Sequence, residues 1–220
     1  MKNGLLIFLG LFVLAALSWA VVLLAPHRQY GALAPAVDPL DGLQHPYGTS
    51  GLANQGRLVY QDLGCVTCHT QQVRHGSADL DRRWGTRPSY ARDYVKDGRV
   101  FLGSSRLGPD LRNVGARLGD TATPAEYAEW FHKLLYAPGS VGAHKPAHAF
   151  LYEVRPIRPG QASAKALHLS GSAAPAAGHE VVPTHRAEAL VAYLASLKDT
   201  YEYPVEAQVN APAGKKEGGH

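Results

Sequence analysis

The chain has 220 residues, 45% of them hydrophobic and 18% charged, with a formal net charge of +4. That length holds one domain of moderate size with appendages. Its 22 Lys and Arg are scattered rather than run together, which argues against a nucleic-acid-binding stripe. The only two cysteines fall in one pentapeptide, so no disulfide framework remains.

From Gly4 to Ala25 the chain carries no charge, and Ser18 is its one clearly polar residue. As a helix this run reaches about 33 Å, enough to cross a hydrocarbon core of about 30 Å. A cleaved signal peptide has a shorter apolar region and a small-residue cleavage site. Ala32-Leu33-Ala34 offers such a site, but Pro35 follows it at once. Residues 1–25 therefore read as a retained single-pass transmembrane anchor. The flanking charges, Lys2 on one side and His27 and Arg28 on the other, orient it only weakly. Residues 26–50 are rich in Pro, Gly and Ala and read as an extended linker.

Leu52, Leu58, Val59 and Leu63 recur at roughly helical intervals, which predicts a helix over 51–64. It leads into Cys65-Val66-Thr67-Cys68-His69. Two cysteines two apart, with a histidine directly after, have the spacing for covalent attachment of one c-type haem. On a tight helical turn the two thiols match the separation of neighbouring vinyl groups, and His69 lies close enough to bind the iron from one side. A zinc site wants four ligands and no second pair exists. A thioredoxin-like dithiol wants a βαβ context, and a disulfide closing so small a loop stabilises little. Attachment of haem c is completed outside the bacterial cytoplasm, which puts the domain on the periplasmic side of the inner membrane.

Residues 70–108 show no sustained period and are dense in Arg, Tyr and Gly, with Trp84 among them. An irregular segment of that length is usually functional or partner-bound, and its aromatics argue against a merely solvated loop. Gly108-Pro109-Asp110-Leu111 follows. A Gly-Pro stretch after such a haem motif passes behind the histidine, and the Pro109 carbonyl is the candidate acceptor for its imidazole N–H. The clearest helix is predicted over 123–137. Thr123 caps it, Pro124 suits its first position and Glu126 completes a capping box. Tyr127, Trp130, Phe131, Leu134 and Leu135 share one face, expected to wall the haem, while His132 falls off it and reads as a surface residue. A further helix is predicted over 184–198, with Leu190, Val191, Leu194 and Leu197 as its stripe, packed across the preceding one. Residues 199–220 read as a flexible tail.

A sixth iron ligand in electron-carrying cytochromes c is often methionine. The one methionine here is Met1, at the far end of the anchor. His144 and His148 are the candidate distal imidazoles, and Lys145 could ligate only after losing a proton.

Several segments together resemble the membrane-anchored mono-haem subunit (subunit II) of cbb3-type cytochrome c oxidases. They are 56–60 (Gly-Arg-Leu-Val-Tyr), 64–74 (Gly-Cys-Val-Thr-Cys-His-Thr-Gln-Gln-Val-Arg), 108–115, 138–140, 150–153, 179–183 and 190–194. The likeness covers roughly 50–198, and the Thr-Gln-Gln-Val-Arg extension is its most specific part. It implies a mostly α fold: one N-terminal transmembrane helix and, over 51–198, a class I-like cytochrome c domain with a long irregular insertion. It also implies a role. The subunit relays electrons through haem c to a catalytic subunit holding haems b and copper, beside other cytochrome c subunits, and oxygen is reduced in that catalytic subunit. Cys65 and Cys68 carry over as attachment sites and His69 as the proximal ligand.

Two departures stand out. The family's Ser-x-Met-Pro segment aligns with 140–146, where three residues are inserted and the methionine is gone. The proline usual after Val-Arg is replaced by His75. Bis-histidine ligation implies a lower potential than a histidine–methionine pair. The alternative function is a stand-alone membrane-anchored periplasmic cytochrome c carrier, and a third is a haem-based sensor with an open sixth position. No independent catalytic site is recognisable.

Overall fold

An apolar run in lipid must satisfy its backbone polar groups internally, and a helix does so. The computed structural model describes residues 3–49, 51–119, 121–158 and 161–204, so the expected tail beyond 204 lies outside the described residues. Helix α1 (Gly4–Tyr30) is long and apolar enough to cross a membrane, and none of its apolar window is buried by protein. A π-helical turn interrupts it at Ala20–Leu24.

The chain divides into two compact units, Met1–Pro46 with Tyr90–Gly98, and Tyr47–Ser89 with Arg99–His220. In the first, the segment expected to be an extended linker is partly folded. Strands β1 (Ala36–Val37) and β2 (Gln44–His45) pair antiparallel, with Ala36 opposite His45. The turn between them is held by its own aspartates. Asp38 and Asp41 accept the backbone N–H of Leu40 and Leu43, each at 2.8 Å. Gly42 takes φ +72°, which favours glycine.

The second unit contains helices α2 (Gly51–Asp62), α3 (Ser77–Asp81), α4 (Pro124–Tyr136) and α5 (His185–Ser196). Helix α4 starts as its residues dictate. Thr123 accepts from the Glu126 N–H, and the Glu126 carboxylate accepts the Thr123 N–H at 2.7 Å. Tyr127, Phe131 and Leu135 are buried, with Trp130 and Leu134 packed partly buried against the same core. His132 departs from expectation. It is half-buried, with Nδ1 3.0 Å from the Tyr152 hydroxyl, and burial pushes its imidazole down to about 4.

Helix α5 buries Leu190, Val191 and Leu194, with Leu197 just beyond it. Its chief partner is α2, with α4 a lesser one. The reason is Gly56. A Cβ there would lie 1.7 Å from the Ala189 carbonyl oxygen and 2.8 Å from Tyr193 Cβ, so only glycine lets the two backbones approach so closely. Tyr60, one turn on, stands edge-on to Tyr193 at 5.4 Å and packs on Phe101 at 5.7 Å. Beyond α5 the chain stays with the domain. Asp199 pairs with Arg112, its N–H donates to Asn113 Oδ1, and Tyr203 is buried. The first residues of the expected tail are thus docked.

Strands β3 (Tyr152–Pro156) and β4 (His179–Pro183) pair antiparallel from Tyr152–Pro183 to Pro156–His179. Among the described residues the fold is mostly helical with these small sheets only, as the resemblance implies.

In an open helical position Gly→Ala stabilises by up to about 1 kcal/mol. At Gly56 the close approach reverses the sign. Gly56→Ala is expected to destabilise the domain by about 1–3 kcal/mol, read from thermal or denaturant unfolding. A stabilised variant contradicts the packing described.

Candidate haem site

Helix α2 ends at Asp62, and Gly64 just beyond it, with φ +67°, turns the chain out of the helical path. Cys65–Thr67 then form a 3₁₀ turn, tightened by Thr67 Oγ1 donating to the Gly64 carbonyl at 2.8 Å. The His69 N–H reaches back to the Cys65 carbonyl at 3.0 Å. One turn therefore carries both thiols and the imidazole. Cys65 is half-buried and its thiol is pushed up to about 11 by burial, while Cys68 is exposed.

His69 Nδ1 lies 2.8 Å from the Pro109 carbonyl oxygen. That acceptor puts the proton on Nδ1 and leaves the Nε2 lone pair free to bind a metal. The contact is built from both sides. The Gly108 N–H donates to the Cys68 carbonyl at 2.9 Å, and the Leu111 N–H donates to the Thr70 carbonyl at 2.8 Å. Gly108 is forced by proximity, since a Cβ there would stand 2.2 Å from His69 Cε1. Burial pushes the imidazole below its ordinary value, so it is neutral at pH 7.

Asp110 completes the clasp and is fully buried. Its carboxylate accepts from Thr70 Oγ1 at 2.6 Å, the Gln72 N–H at 2.7 Å and the Arg112 N–H at 2.9 Å. Arg106 bridges the same region. It donates to Thr70 Oγ1, the Gln72 carbonyl and Asp79 Oδ1 at 3.0, 2.7 and 2.6 Å. Gln71, also buried, exchanges hydrogen bonds with the Tyr193 hydroxyl on α5. The Thr-Gln-Gln extension after the haem motif is thus the strip that ties the turn to the domain. Arg106 and Asp79 were not legible as site residues, because they are 27 positions apart and meet only through the fold.

Two further observations bear on whether a haem fits. Arg117 Nε is buried without a hydrogen-bond partner, although its Nη2 donates to the Asp110 carbonyl. Its charge acts on the His69 imidazole, so a cation with an unused N–H contributes to the field at the site. A haem carboxylate is the chemistry that such a group would satisfy. The donor set of two thiols and one neutral imidazole on a single turn fits the rest.

The distal candidates separate. His144 is exposed. His148 is half-buried, with its ring 5.8 Å from Phe150 and Nδ1 3.2 Å from Lys145 Nζ. Lys145 Nζ also lies 3.0 Å from the Pro146 carbonyl and 3.4 Å from that of Leu134.

A helical domain whose Cys-x-x-Cys-His turn is backed by a carbonyl has the form of a mono-haem cytochrome domain. The chain matches the family model described as cytochrome c oxidase, mono-heme subunit/FixO over residues 2–165, and it belongs to that family. No curated protein gives a match.

The Arg106–Asp79 pair carries a testable consequence. Burial alone would raise the Asp79 carboxyl, but hydrogen bonds from Arg106 and the Arg74 N–H outweigh it and hold the group below the ordinary range. Its contribution is therefore complete above the unfolded value of about 4 and is lost as pH falls through the lowered folded value. Arg106→Gln leaves the buried Asp79 carboxylate with the Arg74 N–H but without its ion-pair partner. It is expected to cost about 3 kcal/mol at pH 7 and to move the acid-unfolding midpoint to higher pH. An unchanged acid limb contradicts the pairing.

Proposed function

We propose that this chain is the electron-relay subunit of a cbb3-type terminal oxidase, carrying one covalent haem c. The observation that supports this most is the His69–Pro109 contact on the Cys65–His69 turn, in a chain of the mono-heme subunit family. Cys65 and Cys68 are the attachment thiols, and His69 Nε2 is the proximal iron ligand. Bound there, haem supplies a one-electron ferric/ferrous couple. The chain's own part is to hold the imidazole neutral, oriented and shielded. Pro109 fixes its tautomer, Gly108 lets the backbone close on it, and Asp110 with Arg106 keeps that backbone in place.

Helix α1 anchors the chain as a single pass in the bacterial inner membrane, with residues 51–198 on the periplasmic side as the cytochrome domain. The receiving partner is the catalytic subunit holding haems b and copper, accompanied by other cytochrome c subunits. Oxygen reduction belongs to that partner.

Cys65→Ala with Cys68→Ala is expected to abolish haem that survives denaturing electrophoresis, read by haem-dependent peroxidase staining. Retained staining contradicts the assignment of the thiols. Purification of the full chain from its native membrane is expected to bring down a polytopic haem b and copper subunit. Recovery as a lone single-haem species contradicts the relay role and favours a stand-alone carrier.

A further inference from the structure

The far side of the iron is where this chain's residues say most. A histidine that ligates through Nε2 needs its Nδ1–H to face an acceptor, as His69 faces Pro109. His148 has the opposite surroundings. Its Nδ1 faces Lys145 Nζ at 3.2 Å, and an ammonium is a donor only. That contact makes Nδ1 the accepting atom and leaves the proton on Nε2, so in this arrangement neither ring nitrogen offers iron a free lone pair. His144 is exposed.

Lys145 has what a ligating amine needs. A primary amine bound to a metal keeps two N–H groups, and inside a protein both must find acceptors. The two nearest acceptors of Nζ are the Pro146 carbonyl at 3.0 Å and His148 Nδ1 at 3.2 Å. The third contact, the Leu134 carbonyl at 3.4 Å, is the longest and the easiest to give up. Lys145 Nζ reaches Leu134, which packs on the same hydrophobic core as Cys65 and Val66, and its charge acts on both the Cys65 thiol and the His69 imidazole. The segment is pinned in place where the His148 N–H donates to the Leu135 carbonyl at 2.7 Å, at the end of α4.

We propose that Lys145 Nζ is the sixth ligand of the haem iron, with His148 as the positioning residue that accepts one of its N–H groups. The inference rests on the reading of His69 as the proximal ligand. In the binding step the ammonium releases one proton to solvent and its lone pair forms the nitrogen–iron bond; no electron is transferred. The three-donor ammonium becomes a two-donor amine, and the two closest acceptors match it.

The test uses the full chain matured with covalent haem, as wild type and as Lys145→Arg, Lys145→Met, His144→Ala and His148→Ala. Spin state is read by electron paramagnetic resonance and absorption, and open coordination by carbon monoxide binding to the reduced protein. Wild type is expected to be low-spin and indifferent to carbon monoxide. Lys145→Arg keeps the charge but cannot present a lone pair, because arginine stays protonated, so it is expected to be high-spin and to bind carbon monoxide. Lys145→Met is expected to return to low-spin, with a methionine–ferric charge-transfer band and a higher midpoint potential. His144→Ala and His148→Ala are expected to remain low-spin. A low-spin Lys145→Arg, or a high-spin wild type, overturns this inference alone. A wild-type chain that carries no covalent haem overturns the function proposed above and this inference with it.

Discussion

The structure of the site depends on one hydrogen bond, from His69 Nδ1 to the Pro109 carbonyl at 2.8 Å. Proline offers a carbonyl without a competing N–H, and Gly108 before it has no side chain to keep the imidazole away. Around this contact the backbone closes like a short ladder, Gly108 to Cys68 and Leu111 to Thr70. Asp110 then gathers Thr70 and Gln72 onto the same side. A ring held this way presents one lone pair in one direction, which is the condition for binding a metal reproducibly.

The helices exist in service of that geometry. Helix α2 delivers the Cys65–His69 turn and α5 fixes α2 by crossing it at Gly56, so the turn inherits its position from a backbone-to-backbone contact. Gln71 extends the same tie, because its partner Tyr193 lies on α5 and also packs against Tyr60 on α2. Glycine at 56, 108 and 115 serves one purpose throughout. Each lets a backbone or ring approach to a distance that a Cβ would forbid; a Cβ on Gly115 would lie 2.3 Å from the Ala195 carbonyl oxygen.

Features written locally were legible in the sequence. The Thr123–Glu126 box set the start of α4, the stripes of α4 and α5 found their buried faces, and the cysteine spacing marked the candidate site. What escaped was non-local. Strands β3 and β4 are five residues each and separated by a long connection, so neither shows enough alternation to be read alone. Their segments were noticed only as likenesses to the family, and the structure pairs them. Arg106 and Asp79 carry no local signal in the sequence, and Asp110 was marked only as part of the Gly108–Leu111 stretch. Burial and mutual compensation become visible only when the irregular segment is folded against the haem turn. The preference of α5 for α2 over α4 was missed for a similar reason. Apolar stripes say that a face is buried but not against which helix, and Gly56 was the residue that decided.

The two faces of the proposed iron site differ in kind. The proximal face is assembled from backbone carbonyls and glycines, while the distal segment offers a lysine and an imidazole already bonded to one another. Both faces take their meaning from His69 presenting Nε2, so the proton on its Nδ1 is the quantity to measure. Nitrogen-edited nuclear magnetic resonance of the reduced, haem-bound full chain reads it directly. The account predicts a proton on His69 Nδ1, coupled to the Pro109 carbonyl and protected from exchange with water. An Nδ1 without a proton, or one whose proton exchanges as fast as a solvent-exposed imidazole, would contradict it.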